Sequence, residues 1–142
     1  MKKIIFSFLG AILALGIFYG CDRQSEQAST DEIKIGVILG FTGPIESLTP
    51  TMASSAELAM KEVSDSGLLL GGASVSSVRA ASTCVDAGAA TSAAERLVTS
   101  DNVAAIMGAD CSGVTTAIAN NVAVPNGVTI ISPSATSPAL TD

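Results

Sequence analysis

Apolar positions along this chain come in two alternating rhythms. Ile33-Lys34-Ile35-Gly36-Val37-Ile38-Leu39 is short, β-branched and nearly continuous, as in a strand covered on both faces. Gly40 to Pro50 is a loop with Thr42-Gly43-Pro44 as its turn chemistry. Met52, Ala56, Ala59, Met60 and Val63 then recur at helical spacing up to Gly67, a residue suited to stopping a helix. A Gly-rich connection, Leu68 to Ala73, leads to Val75 to Ser82, the weakest of the strands because its apolar positions are few and small. Ala90, Ala93, Ala94, Leu97 and Val98 form the inward stripe of a second helix over Asp86 to Ser100. Val103 to Met107 reads as a third strand, Thr116 to Val124 as a third helix, and Val128 to Ser132 as a fourth strand.

The order βαβαβαβ with short connections predicts the α/β class. Its form is an open parallel sheet with right-handed crossovers and helices on both faces. In such sheets ligands bind outside the carboxyl ends of the strands. The four loops there are Phe41 to Pro50, Thr83 to Asp86, Ala109 to Ser112 and Pro133 to Pro138; they are rich in Ser, Thr, Gly and Cys, and the topology predicts that they converge. At their centre lies Gly108-Ala109-Asp110-Cys111-Ser112-Gly113-Val114-Thr115. Strand, polar loop and helix in that order bring the Ser112 hydroxyl and free backbone N–H groups to a helix N-terminus, which suits a carboxylate. Locally, the same serine also reads as a cap for its own helix and nothing more.

The first 32 residues follow neither rhythm. Lys2-Lys3 precede an apolar run, Ile4 to Tyr19, that is short for a membrane span, and Gly20-Cys21 leads directly into Asp22-Arg23-Gln24. This is the shape of a secretory signal over residues 1–20. It resembles a bacterial lipoprotein signal with Cys21 as the lipidated residue, although Phe18 and Tyr19 stand where Leu and a small residue are usual. An uncleaved anchor, or cleavage elsewhere with Cys21 a free thiol, is the alternative. Residues 21–32 are polar and without periodicity, as in a flexible tether.

Composition narrows the function. At 142 residues the chain holds one ordinary domain, and with 4% aromatics and no Trp its core must be aliphatic. With no His, the chain has no Ser-His-Asp or Cys-His group and no His-containing metal site. Beyond residue 20, five basic residues face 13 acidic ones, so there is no basic face for nucleic acid. G-x-G-x-x-G, G-x-x-x-x-G-K-[ST] and G-x-S-x-G are all absent, so neither a nucleotide cofactor nor hydrolase chemistry is expected. Cys84 and Cys111 fall in neighbouring loops. In an exported protein such thiols point to a disulfide rather than a metal pair, with two unpaired buried thiols as the alternative. Closure would stabilise the fold by about 3 to 4 kcal/mol in the chain-entropy estimate.

Several segments together resemble the leucine/isoleucine/valine-binding proteins, the type I periplasmic solute receptors of ABC importers. They are Ile33 to Leu39 with Thr42-Gly43-Pro44, Ala56-Glu57-Leu58-Ala59, Cys84, Gly108-x-x-Cys111-Ser112, and Ile131-Ser132-Pro133-Ser134-Ala135-Thr136-Ser137-Pro138. The resemblance implies that residues 33–142 form the N-terminal ligand-binding lobe, with the second lobe absent and the sequence a partial one. It implies that Ser112 holds the α-carboxylate of an amino acid with its hydroxyl and backbone N–H. Thr136 would do the same, the Ser134 carbonyl would accept from the α-ammonium, and Cys84 and Cys111 would form the family's disulfide.

The departures concern specificity. Leu48 stands where an aromatic often walls the side-chain pocket, and Asp110 stands where an apolar residue is common. A carboxylate there would disfavour an aliphatic ligand or repel a carboxylate unless it points away. Ala81 and Ser82 replace the acidic pair that usually precedes the first cysteine. The implied protein binds rather than catalyses. It would be periplasmic or otherwise extracytoplasmic, held to the membrane through Cys21, with membrane permease subunits as partners. A two-lobe sensor for amides, urea or another small polar ligand is the alternative.

Overall fold

The computed structural model describes residues 32–141. The leader, Cys21 and the tether up to residue 31 lie outside the described residues. Four strands, β1 (Glu32–Leu39), β2 (Ser74–Ala81), β3 (Ala105–Gly108) and β4 (Thr129–Ile131), form one parallel sheet in the order β2-β1-β3-β4. Helices α1 (Thr49–Ser66), α2 (Ala87–Thr99), α3 (Ser112–Ile118) and α4 (Val124–Asn126) connect them. Glu32, placed in the tether by its polarity, is the first residue of β1.

β1 is the most continuously apolar strand, and it lies between β2 and β3. Its last residues, Val37, Ile38 and Leu39, are fully buried, and their alternation splits the interior in two. Val37 and Leu39 meet Ala53 of α1, flanked by Met52, Met60, Phe41 and Met107. Ile38 faces the larger core of Ala90, Ala94 and Leu97 from α2, Ile106 from β3, and Val114, Ile118 and Val122. Both cores are aliphatic apart from Phe41, as the composition requires. Each large side chain fully buried there stabilises the fold by about 1.5 to 3 kcal/mol relative to exposure.

α2 keeps its expected stripe, with Ala90, Ala94 and Leu97 completely buried, and Asp86 caps it by accepting from the Ala89 amide at 2.9 Å. α1 departs from expectation: Ala59 and Val63 are exposed, and the inward stripe is Thr49, Ala53, Met60 and Ser64. The reason lies in its neighbour. β2 is an edge strand carrying serines, and α1 turns a polar side toward it. Ser64 Oγ accepts from the Val75 amide at 2.8 Å, and Glu57 accepts from Ser77 and, through both carboxylate oxygens, from Arg79. The Arg79 guanidinium holds the Glu57 carboxyl below the usual carboxylate range. Arg79 also lies 5.5 Å from the centre of the Phe41 ring.

The third helix begins at Ser112, four residues earlier than its periodicity suggested, and α3 runs through a wider π-helical turn, Ala119–Ala123, into α4. Pro125 has no N–H for the carbonyl one turn back and its ring crowds that carbonyl, which accounts for the widening.

Candidate functional site at the carboxyl ends of the strands

The loops that follow the four strands meet. They are joined by side chains reaching between loops. The Asp110 carboxylate, 3% exposed, accepts the Gly40 amide from the β1 tip at 2.8 Å and the Ser82 hydroxyl from the β2 tip at 3.3 Å. It also accepts the amide of Cys111 at 3.1 Å. Cys84 and Cys111 are joined by a disulfide across 27 residues of sequence, with Cα atoms 5.3 Å apart. A Cβ at Gly43 would lie 2.5 Å from the Thr83 carbonyl oxygen, so the β1 and β2 loops approach closely only because residue 43 is glycine.

The loop after β4 is held from within and from without. Ser132 Oγ donates to the Ala109 carbonyl and accepts the Ala135 amide at 2.9 Å. Ser134 Oγ donates to the Asp110 carbonyl at 2.8 Å. Ser112 Oγ accepts the amides of Thr136 at 3.1 Å and Ser137 at 3.2 Å. Thr115, 4% exposed, donates to the carbonyls of Ala109 and Cys111 and so braces the start of α3.

These contacts give each predicted residue its place. Cys111, and not Ser112, occupies the N-cap of α3, and it supplies no side-chain cap. Ser112 is half-buried at the first helical position, and its oxygen serves another loop instead of its own helix. Because that oxygen accepts two amides, the hydroxyl proton remains to be donated, and among the described residues nothing accepts it. Thr136 and Ser134 are exposed on the facing loop. The Thr136 amide, expected to meet a ligand, is donated to Ser112, which leaves its hydroxyl free among the described residues. Leu48 is 60% exposed at the N-cap of α1, outside this hydrogen-bonded cluster.

Asp110, expected to bear on the ligand unless it points away, does point away: both of its oxygens are turned inward and committed to other loops. A negative charge with no cation beside it in the interior must be satisfied by hydrogen bonds, and three donors do this. Sequence reasoning also passed over Ser132, Ser82 and Thr115 as site-building residues. The available signal was a hydroxyl residue just beyond a strand end or in the first turn of the following helix. Among the described residues, no group of three or more His, Cys, Asp or Glu could hold a metal ion, and no helix is long and apolar enough to cross a membrane.

The sequence profile of the periplasmic binding protein family matches residues 32–142. A search of curated proteins found no match. Among solved structures, the branched-chain amino acid transporter substrate binding protein LivJ from Streptococcus pneumoniae, in complex with isoleucine, aligns with a TM-score of 0.70 and 32% identity over 78% of this chain and 31% of that one. The leucine binding protein LivK from Thermotoga maritima aligns with a TM-score of 0.67 and 29% identity over 78% of this chain and 30% of that one. An ABC transporter substrate-binding protein from Desulfitobacterium hafniense, in complex with Leu, aligns with a TM-score of 0.67 and 28% identity over 79% and 31%. The chain thus spans about a third of the length of these relatives. By the profile it matches and the lobe it shares with these receptors, the chain belongs to the periplasmic binding protein family.

Proposed function

We propose that the chain is part of an extracytoplasmic receptor for amino acids that delivers its ligand to the membrane permease subunits of an ABC importer. The carboxyl-end loops are one wall of its cleft. The observation that carries this reading is Ser112. Its hydroxyl oxygen is saturated by two amides of the facing loop, and its proton is still to be donated. An acceptor is therefore needed at that point, and a carboxylate is the acceptor that a helix start favours. The Thr136 hydroxyl stands beside it on the latched loop, and the Ser134 carbonyl is the group offered to the α-ammonium. Charge-assisted bonds of this kind contribute about 1.5 to 3 kcal/mol each.

The inward turn of Asp110 removes the charge that would have opposed an aliphatic side chain. The isoleucine and leucine complexes of the similar receptors support an aliphatic amino acid as ligand. Leu48, an exposed apolar residue above α1, is assigned to the ligand side chain. A single wall buries only part of a ligand, so tight binding belongs to a full-length protein that closes a second wall over it. No His is present to activate Ser112, and binding needs none.

Calorimetry on the full-length protein with a panel of amino acids, beside Ser112→Ala and Thr136→Ala, tests the carboxylate role. Unchanged affinity in both variants overturns it. The signal-like N-terminus supports anchoring through a lipid on Cys21. Mass spectrometry of the mature protein should find a diacylglycerol adduct there, and an unmodified thiol overturns the anchor.

A further inference from the structure

We propose that Asp110 is the positioning residue of the ligand site: a buried carboxylate that sets the tips of β1, β2 and β3 against one another and so fixes where Ser112 stands. The inference rests on the ligand reading of Ser112 and extends it to a residue that touches no ligand. Two observations carry it. Asp110 is 3% exposed and takes part in none of the ion pairs among the described residues, which are Lys61–Asp65, Arg79–Glu57 and Arg96–Asp101. Its oxygens instead accept from three different places, the Gly40 amide, the Ser82 hydroxyl and the Cys111 amide. Its own carbonyl accepts from Ser134 in the fourth loop, so this one residue meets all four tips.

Geometry explains why a carboxylate is required. Gly40 has no side chain, and a Cβ there would lie 3.2 Å from Asp110 Oδ2 and 3.5 Å from the Cys84 Cβ. The carboxylate and the disulfide therefore pack directly on the β1 tip. Two of the three donors are backbone amides, which cannot reverse their role. An Asn in place of Asp110 would turn its NH2 either toward the Gly40 amide or toward the Cys111 amide, and one of them would lose its acceptor. Only Ser82 can rotate to accommodate the change. The disulfide ties the same β2 and β3 tips and packs on Gly40, but it accepts no hydrogen bond from the Gly40 amide, so it does not replace Asp110.

The test uses the full-length protein with L-leucine, L-isoleucine and L-valine as probes, below the unfolding temperature of every variant. Asp110→Asn should lower affinity by about ten- to a hundredfold. In a proton–nitrogen correlation spectrum, the Gly40 amide should stand downfield in the parent and move upfield in this variant, while the hydrogen-bonded Gly67 and Gly127 amides of the amino-end turns keep their positions, a pattern that general loosening would not produce. The exchanged pair Asp110→Ser with Ser82→Asp, which returns a carboxylate between the tips, should recover affinity relative to Asp110→Ser alone; it also serves if Asp110→Asn does not fold. Parent-like affinity in Asp110→Asn together with an unmoved Gly40 amide overturns the proposal. If the parent binds none of the three probes, the aliphatic-ligand reading fails instead, and the Gly40 signature still decides whether the carboxylate sets the tips.

Discussion

The two ends of the sheet are built on different principles. At the amino ends of the strands the turns are self-contained. Gly67 closes α1 by donating to Ser64, Gly72 and Ala73 both donate to Leu69, and Gly127 donates to Val124, all backbone groups a few residues away. Leu68 and Leu70 are 86% and 80% exposed there, and nothing reaches across to them. At the carboxyl ends the loops depend on one another, through side chains whose partners lie between 23 and 70 residues away, from Ser132 on Ala109 to Gly40 on Asp110. A turn that satisfies itself tolerates change. A loop that takes its shape from another loop transmits any change to it, which is what a binding surface assembled from four segments requires.

The sharpest way to break the contrast is to cut the covalent tie. Replacing Cys84 and Cys111 by Ser should lower the unfolding free energy by about 3 to 4 kcal/mol, since 27 residues separate them. Urea denaturation of the full-length protein checks it, and a loss no larger than about 0.5 kcal/mol, the range of an ordinary surface change, would mean that the non-covalent ties already hold the tips. Ser112→Ala comes next. It removes a hydroxyl that joins two loops and, on the ligand reading, a charge-assisted bond, so affinity should fall by about ten- to a hundredfold. The smallest effect belongs to the other end. Leu70 adopts a left-handed conformation at φ 43° with its side chain in solvent. Leu70→Gly should therefore leave affinity untouched and stabilise by about 0.5 to 1 kcal/mol, the relieved strain being partly offset by the freedom of glycine when unfolded. A thermal melt that falls on this substitution would show that the amino-end turn is not self-contained.

The same contrast explains what was legible in advance. The alternation of strands and helices, the end of α1 at Gly67 and the cap of α2 at Asp86 are local matters, and their residues identify them. The stripe of α1 was misjudged at Ala59 and Val63 because the helix buries Thr49 and Ala53 and turns Ser64 and Glu57 toward partners on a strand 11 to 22 residues along the chain. Ser112 was legible as a polar residue at a helix start, but whether it capped its own helix or served a second loop was not. Asp110 was legible as an unusual charge in an apolar setting and not as a staple, because its direction depends on two donors from other parts of the fold, Gly40 and Ser82.

What the sequence by itself determined is the periodic pattern, the aliphatic core and the gathering of hydroxyl-rich loops at one end of a parallel sheet, since hydrophobic period and turn chemistry act over a few residues. What only the tertiary structure decided is where the polar atoms of those loops point. A hydroxyl or a carboxylate chooses among distant partners by geometry, and those partners come within reach only when the strands are in register.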